Sequence, residues 1–205
     1  MNVIRSSKKL SVLVLSALFS LAAGTLAAQA PSGVPVFKVT PLDSKVTFGV
    51  DASVSIQGTF KKWDATLTMT SPDVTTAVLD IKIDAASVDT GSGMKNDKLK
   101  SKDFFNVEQD PYITFKSTKV TQTGPNTFEV DGDFTIRGVT KQEKLLLNLA
   151  GKGTGHGTIT GTMAFDRKEF GMNSGIPFIK IANRVEVTVN LTATRVSGPP
   201  VKFQQ

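Results

Sequence analysis

The feature of this chain that most restricts its fold is a period-two alternation of apolar and polar side chains, which begins near residue 37. In the clearest segment, Phe128, Val130, Phe134 and Ile136 alternate with polar residues. Such alternation is typical of β-strands that bury one face and expose the other, as strands of antiparallel sheets do. Eight segments show it: residues 45–50, 53–60, 79–83, 113–115, 128–136, 145–149, 159–165 and 185–191.

Eight antiparallel strands either close into a barrel or divide into two packed sheets. The turn sequences between the segments, such as Gly124-Pro125-Asn126, fit both arrangements. An eight-stranded barrel holds one small ligand, whereas a two-sheet sandwich has no room for a guest. The alternation alone therefore leaves open whether the chain encloses a cavity.

Two segments depart from the alternation. Residues 92–106 are predicted to form a short helix or an ordered loop, and their length makes them a candidate cover for one end of a barrel. Residues 197–205, which include Pro199 and Pro200, are predicted to be a flexible tail. The barrel domain is accordingly predicted to span residues 37–196.

Residues 1–30 have the organisation of a cleaved secretory signal peptide. Arg5, Lys8 and Lys9 precede an uncharged apolar run at residues 10–21, and small residues follow, so cleavage is expected between residues 27 and 30. A retained membrane anchor is the alternative, but this run spans only about 18 Å of a hydrocarbon core about 30 Å thick. We therefore expect export, with no stable membrane span after cleavage.

The charge and cysteine content exclude several classes of function. The chain has 24 basic and 18 acidic residues, for a net charge of +6, and three of the basic residues lie in the predicted signal peptide. The mature part then carries 21 basic and 18 acidic residues, a net of +3, without an arginine-rich stripe. Nucleic-acid binding is therefore not expected. Cysteine is absent, which excludes disulfides and thiolate chemistry.

Catalytic groups are hard to assemble from this sequence. His156, the only histidine, lies in a glycine-rich stretch and is interpreted as an exposed hairpin-tip residue rather than a base or metal ligand. Asp97 with Asp103, or Asp84 with Asp89, are candidate carboxylate pairs for glycoside cleavage, but their spacing fixes no separation, so solvated loop positions are favoured. We predict no catalytic residue, no metal site and no cofactor.

Five sequence blocks resemble the YceI-like family. They occur in the order and spacing of that family and cover the chain from about residue 39 to residue 196. The blocks are residues 83–91, 96–106, 111–117, 132–141 and 166–172. The chain departs from the family pattern at Asp43, Asp51 and Lys98, where members often carry histidine, so histidine contacts to a headgroup or metal do not carry over.

The resemblance implies an all-β, lipocalin-like barrel of eight antiparallel strands that works in the periplasm. It also implies a bound polyisoprenoid, isoprenoid quinone or similar long-chain amphiphile, and it carries no family-wide catalytic activity. Whether two copies form a homodimer is left open. The rival interpretations are an envelope stress or interaction protein with a solid barrel, and a hydrolase or isomerase whose cavity holds converging polar groups.

If the apolar face points inward, a defined set of residues lines the interior. Gly58, Gly132 and Gly161 share this inward register and are expected to leave space for a guest. The predicted lining residues are Phe48, Val50, Leu79, Ile81, Phe115, Phe134, Ile136, Leu147, Met163, Phe165, Val187 and Val189. Near the turns, the predicted contacts to a headgroup at the barrel mouth are Arg137, Lys141, Arg167 and Asn173.

Overall fold

The computed structural model describes residues 33–53, 55–175 and 180–204. The predicted signal peptide and Val54 lie outside these residues. No helix in the described ranges is long and apolar enough to cross a membrane. The elements are β1 Val36–Val39, β2 Lys45–Ala52, β3 Ile56–Phe60, β4 Trp63–Thr68, β5 Val78–Asp84, β6 Val88–Asp89, α1 Gly93–Lys100, β7 Tyr112–Gln122, β8 Thr127–Ile136, β9 Val139–Ala150, β10 His156–Asp166 and β11 Ile181–Ser197.

The described residues form eleven strands, three more than predicted, because β1, β4 and β6 lie beyond bends that separate them from predicted strands. β1 leads into β2 through the 3-10 turn Pro41–Asp43, and β5 leads into β6 through the 3-10 turn Ala85–Ser87. β3 leads into β4 through Lys61 and Lys62, whose backbone amides donate to the carbonyl and hydroxyl of Ser87 at 3.1 and 3.0 Å. Joined across these bends, the strands make eight passes of the chain, and the predicted all-β antiparallel fold is confirmed.

All the strands belong to one curled antiparallel sheet. Its order is β4-β5-β7-β8-β9-β10-β11-β2-β3-β6, with β1 paired to β11 beside β2. The two ends of this order are connected through the chain. At one end β3 pairs with β6, and β3 continues directly into β4, which pairs with β5 at the other end. The sheet therefore curls back on itself. Among the described residues no backbone ladder joins β1 to β4, so the ring is incomplete at that place.

The inward faces of the strands make one continuous core. Two groups of aromatic rings pack at the end of the barrel that α1 covers. Phe134, Phe165 and Phe170 have ring centroids 5.1 to 5.3 Å apart. The second group joins Phe48 and Phe60 of the strands to Phe105 of the segment that follows α1, with centroids 5.5 to 6.4 Å apart.

The chain end that the sequence predicts to be a flexible tail lies against the opposite end of the barrel. The Lys202 amide donates to the Pro72 carbonyl at 2.7 Å, and the Lys202 carbonyl accepts from Val74 at 3.0 Å. The rings of Phe203 and Phe128 are 6.2 Å apart. Alternation of Val201 and Phe203 with polar neighbours explains this placement, since it gives the segment one apolar face that turns into the barrel. We refer to residues 198–204 as the strap.

The inward glycines do not leave empty space as predicted, because neighbouring side chains fill it. A methyl group added to Gly58 would lie 2.6 Å from the Phe48 ring, and one added to Gly161 would lie 2.6 Å from Val189. One added to Gly132 would lie 2.5 Å from the Phe115 ring and 2.8 Å from the backbone oxygen of Lys116. These glycines allow close packing of larger side chains rather than entry of a guest.

This packing predicts opposite effects of alanine at two strand glycines. Gly132→Ala should lower the free energy of unfolding by about 1–3 kcal/mol, because the backbone oxygen of Lys116 cannot move aside cheaply. Gly49→Ala is the matched control, since nothing lies within 4 Å of its added methyl group. It should be neutral or stabilise by up to about 1 kcal/mol. Urea unfolding of the two variants measures the difference, and an equal effect at both positions would contradict the packing described.

Candidate functional site

Residues 33–53, 55–175 and 180–204 form two apolar cavities in the barrel interior, one at each end, and none of these residues lines both. The helix-end cavity lies beneath α1 and encloses about 850 Å³, including its opening to solvent. The tail-end cavity lies beneath the strap and encloses about 1000 Å³, again including its opening.

A layer of packed side chains, which we call the waist, separates the two cavities. On β5, Leu79 lines the tail-end cavity and Ile83 lines the helix-end cavity, while Ile81 between them lines neither. The same order recurs on the neighbouring strands. The waist comprises Ala65, Ile81, Phe115, Leu145, Met163, Val189 and Leu191, each at most 8% exposed. The interior is therefore two chambers rather than one tunnel.

The walls of the helix-end cavity are almost entirely hydrocarbon. Seventeen of its twenty lining residues are apolar, and the other three, Lys95, Lys98 and Arg167, are basic. No carboxylate is among them. The segment predicted to cover one barrel end does so, since α1 and the turns after it contribute Leu99, Phe104 and Phe105 to the lining. An apolar chamber with only cations at its edge suits an amphiphile whose head is polar or anionic.

Arg167 is the buried cation of this cavity, with 6% of its surface exposed. It begins the 3-10 turn Arg167–Phe170 after β10, and the carboxylate of Asp166 caps that turn by accepting from Lys168 at 2.8 Å. The guanidinium donates to the carbonyls of Ala182 and Ser174 at 3.1 and 3.0 Å, and also to that of Met172.

Among the described residues, no carboxylate lies within 4 Å of the Arg167 guanidinium. In the described part of the chain, backbone carbonyls hold this buried charge, and their hydrogen bonds engage Nε and Nη1. A guanidinium has five donors, so the group retains capacity for a ligand oxygen. Arg167 is therefore suited to hold the polar end of a molecule in the helix-end cavity.

Asp89 and Asn96 fasten α1 over this cavity. The Asp89 carboxylate accepts from the Lys61 ammonium at 2.6 Å and from the Gly91 amide at 2.9 Å. Asn96 on α1 accepts from the Thr90 amide and hydroxyl at 2.9 and 2.8 Å. The hydrogen bond from Lys61, followed by that from Gly91, lowers the pKa of Asp89 to about 2. The carboxylate thus keeps its charge through most of the acidic range.

The tail-end cavity combines apolar walls with a basic rim. Lys152, His156 and Arg195 lie in its lining, and no acidic residue does. The Lys152 ammonium lies 4.5 Å from the centre of the Phe203 ring and donates to the Pro125 carbonyl at 3.0 Å. Arg195 donates to the Gly198 carbonyl at 2.5 Å. Both cations therefore lie where the strap crosses the mouth. Sequence reasoning missed this rim because β10, β11 and the chain end meet only in the fold.

All twelve predicted lining residues belong to the barrel interior, but they divide among three regions. Two, Leu79 and Leu147, line the tail-end cavity. Four belong to the waist: Ile81, Phe115, Met163 and Val189. The remaining six line the helix-end cavity: Phe48, Val50, Phe134, Ile136, Phe165 and Val187. Their contact with a lipid stays a prediction.

Of the four predicted headgroup contacts, Arg167 alone lines a cavity. Arg137 lies nearby and donates to the Gly171 carbonyl at 2.5 Å. Lys141 and Asn173 are exposed and line neither cavity. Position near a turn did not show which of these four residues lines a cavity. Whether a side chain at the end of a strand points inward depends on the geometry of the loop.

Several of the groups that were weighed for catalysis have structural partners instead, such as Asp84, which accepts from the Ala86 amide at 3.0 Å. His156 is exposed, with Nδ1 at 2.8 Å from the Thr194 hydroxyl, and Asp103 forms an ion pair with Lys98 at 2.5 Å. Glu143 on β9 has a raised pKa because of burial, with the charge of Glu169 as a second cause, yet it lines neither cavity. Within the described ranges, no group of three or more His, Cys, Asp or Glu is placed to hold a metal ion.

The attachment of α1 predicts a specific dependence of stability on pH. The folded pKa of Asp89, about 2, lies below the ordinary value of 3.8, so its stabilising contribution is complete above about pH 4 and is lost as the pH falls toward 2. Asp89→Asn should therefore lower stability at neutral pH, and its difference from the unmodified protein should shrink over that window. Urea unfolding from pH 7 to pH 2 measures this, with Asp64→Asn on the exposed face of β4 as control. A constant difference across the window would contradict the assignment.

Comparison with known proteins places this arrangement among similar folds. The family model described as YceI-like domain matches residues 37–193. A protein of Pseudomonas savastanoi pv. phaseolicola described as "UPF0312 protein" is 29% identical over 171 residues, which cover 78% of this chain and 88% of that protein.

Two solved structures share the fold. The crystal structure of Burkholderia cenocepacia BcnA has a TM-score of 0.69 and 28% identity, and the match covers 77% of this chain and all of that one. A polyisoprenoid binding domain from Saccharophagus degradans, implicated in plant cell wall breakdown, has a TM-score of 0.61 and 12% identity. That match covers 78% of this chain and 99% of the domain, and it concerns the fold alone.

Proposed function

The chain belongs to the YceI-like family, and from that membership and its two cavities we propose that it is a binding protein, not an enzyme. It sequesters a polyisoprenoid, an isoprenoid quinone or a similar long-chain lipid in the helix-end cavity. The observation that carries this proposal is the composition of that cavity, in which seventeen of twenty lining residues are apolar and the rest are basic.

Burial of hydrocarbon supplies the affinity in this proposal. Each methylene moved from water into the cavity contributes about 0.8 kcal/mol, and the loss of the guest's freedom offsets part of the sum. A hydrocarbon chain requires no directional contacts, so walls such as Phe48, Phe134 and Val187 bind any chain of suitable width. The cavity therefore selects lipids by shape and length rather than by chemical detail.

The polar end of the lipid lies beside Arg167, and its chain runs toward the waist. Arg167 is the one buried cation in the lining, and α1 with Phe104 and Phe105 covers the same end. A head that accepts hydrogen bonds, such as a quinone carbonyl, a hydroxyl or a phosphate, would use the unengaged guanidinium donors. The waist then limits how deep the chain reaches.

A solved structure of the same fold supports the lipid class in this proposal, and the predicted signal peptide supports its location. That structure is described as a polyisoprenoid binding domain, which supports a lipid of this class as the guest. Residues 1–30 support export to the periplasm, where a carrier shields an apolar lipid between two membranes.

One observation favours the rival function of a solid barrel that binds a partner through its loops. The waist is fully packed, and the three inward glycines are filled by neighbouring side chains. In the carrier proposal the waist is a floor that limits chain length, whereas in the rival it is part of a continuous core with no ligand. Variants with smaller side chains in the waist distinguish the two functions.

Removing a waist side chain should lengthen the lipid that is bound. Phe115→Ala and Met163→Ala each open the layer between the cavities, at a cost of about 2–5 kcal/mol in stability. We expect the preferred chain among isoprenoid alcohols of increasing length to become longer in these variants. Ile113→Ala is the control, because it removes volume from the same strand as Phe115 but lines the helix-end cavity. A chain-length preference that is equal in all three variants would contradict a waist that acts as a floor.

Filling each cavity in turn tests where the lipid lies. Val187 and Ala193 are both inward residues of β11, and they line the helix-end and tail-end cavities respectively. Binding of tritiated geranylgeraniol, an uncharged isoprenoid alcohol, should fall at least tenfold in Val187→Trp and change little in Ala193→Trp. Circular dichroism establishes that both variants fold. Unchanged binding in folded Val187→Trp would refute the helix-end site, and no saturable binding to the unmodified protein would refute the function.

A further inference from the structure

We propose that the tail-end cavity is a second and separate binding site, which takes a single-chain amphiphile with an anionic head. The cavity is lined mostly by apolar residues and shares no lining residue with the helix-end cavity. The waist residues between them are at most 8% exposed. A molecule at one end is therefore held by different side chains from a molecule at the other. This inference does not depend on a lipid in the helix-end cavity.

The walls of the tail-end cavity fit a hydrocarbon chain. Inward residues of β4, β5, β7, β8, β9 and β10 supply aliphatic and aromatic surface, with Phe128 and Leu147 among them. The glycines of the turn between β9 and β10 complete the lining without adding polar side chains. Pro200, Val201 and Phe203 of the strap complete the lining, so the chain of a guest would be buried beneath them and its polar end would lie at the rim.

The rim of the cavity fits an anionic head. Lys152 and Arg195 line the mouth, and among the described residues neither has a carboxylate within 4 Å. Each donates to a backbone carbonyl, Pro125 for Lys152 and Gly198 for Arg195. An ammonium has three donors and a guanidinium five, so both retain donors for a ligand. Two cations beside an apolar chamber without a carboxylate in its lining favour an anion at this position.

The strap covers part of this cavity, which favours a guest with a single chain over a bulkier one. Lys202 is joined to the loop at residues 72–74 by two backbone hydrogen bonds, and Gln204 exchanges two hydrogen bonds with the Gln122 side chain. Val201 and Phe203 face the cavity from the strap. These contacts form a roof over the chamber, with the basic rim at its edge. A fatty acid is the simplest molecule with the required chain and charge.

The test compares an acid with its uncharged ester in the full chain. Titrations of cis-parinaric acid and its methyl ester, followed by fluorescence, should show saturable binding of both, with the acid bound more tightly. Lys152→Gln and Arg195→Gln should each weaken the acid roughly tenfold and leave the ester nearly unchanged. Lys116→Gln, on the exposed face of β7, is the matched control and should alter neither.

The cavity-filling pair on β11 locates the site. Ala193→Trp should remove the acid binding that Lys152→Gln and Arg195→Gln weaken, whereas Val187→Trp should preserve that binding. This is the reverse of the pattern expected for the neutral isoprenoid alcohol, so failure of either site is seen independently of the other. If Ala193→Trp does not fold, the acid and ester titrations of the two rim variants decide the question.

Three results would overturn the proposal. The first is acid binding that is lost in Val187→Trp and retained in Ala193→Trp, which would place the acid in the helix-end cavity. The second is equal weakening of acid and ester in the rim variants, which would mean that the cations only hold the strap. The third is acid binding seen only after Phe203→Ser, which would show that the strap itself occupies the cavity.

Discussion

Backbone pairing around a nearly complete ring of strands is the constraint on which the rest of this structure depends. Once eight passes of the chain pair side by side, every second residue must point into the enclosed space, and its size then decides what that space holds. At mid-height, large side chains such as Phe115 and Met163 are buried and line neither cavity. At the two ends the side chains do not fill the ring, and two cavities result.

The charges at these cavities all have one sign, which gives the apolar chambers a chemical preference. Arg167 at one end and Lys152 with Arg195 at the other are held by backbone carbonyls. A carbonyl stabilises a cation without neutralising it, so each end still attracts an acceptor or an anion. An amphiphile satisfies both features of such a chamber, because its chain covers the apolar walls while its head meets the cation.

Alternation predicted the core of this fold well and its interruptions poorly. The eight segments recovered β2, β3, β5 and β7–β11, and the inward residues named from them all lie in the interior. β1, β4 and β6 were missed, since they are the continuations of predicted strands beyond bends. Those bends depend on hydrogen bonds to Ser87 and on a turn at Pro41, which connect residues far apart in sequence or break the period locally.

The candidate sites were predicted less completely, because they depend on where side chains meet in space. Periodicity identifies an inward residue but not its height in the barrel, so waist residues such as Ile81 were grouped with cavity residues such as Phe48. Charge and position near a turn identified Arg167 together with three residues that line no cavity. The strap was predicted to be a flexible tail, because it includes Pro199 and Pro200 and the alternation of Val201 and Phe203 is too short to indicate a buried face.

The most direct test of the central claim is mass spectrometry of the protein isolated without detergent from the cells that produce it. The account predicts that a long-chain isoprenoid lipid leaves with the protein, near one molecule per chain, and that denaturation releases it. A protein that carries no lipid and shows no saturable binding of apolar probes would contradict the account, and the barrel would then be a solid scaffold.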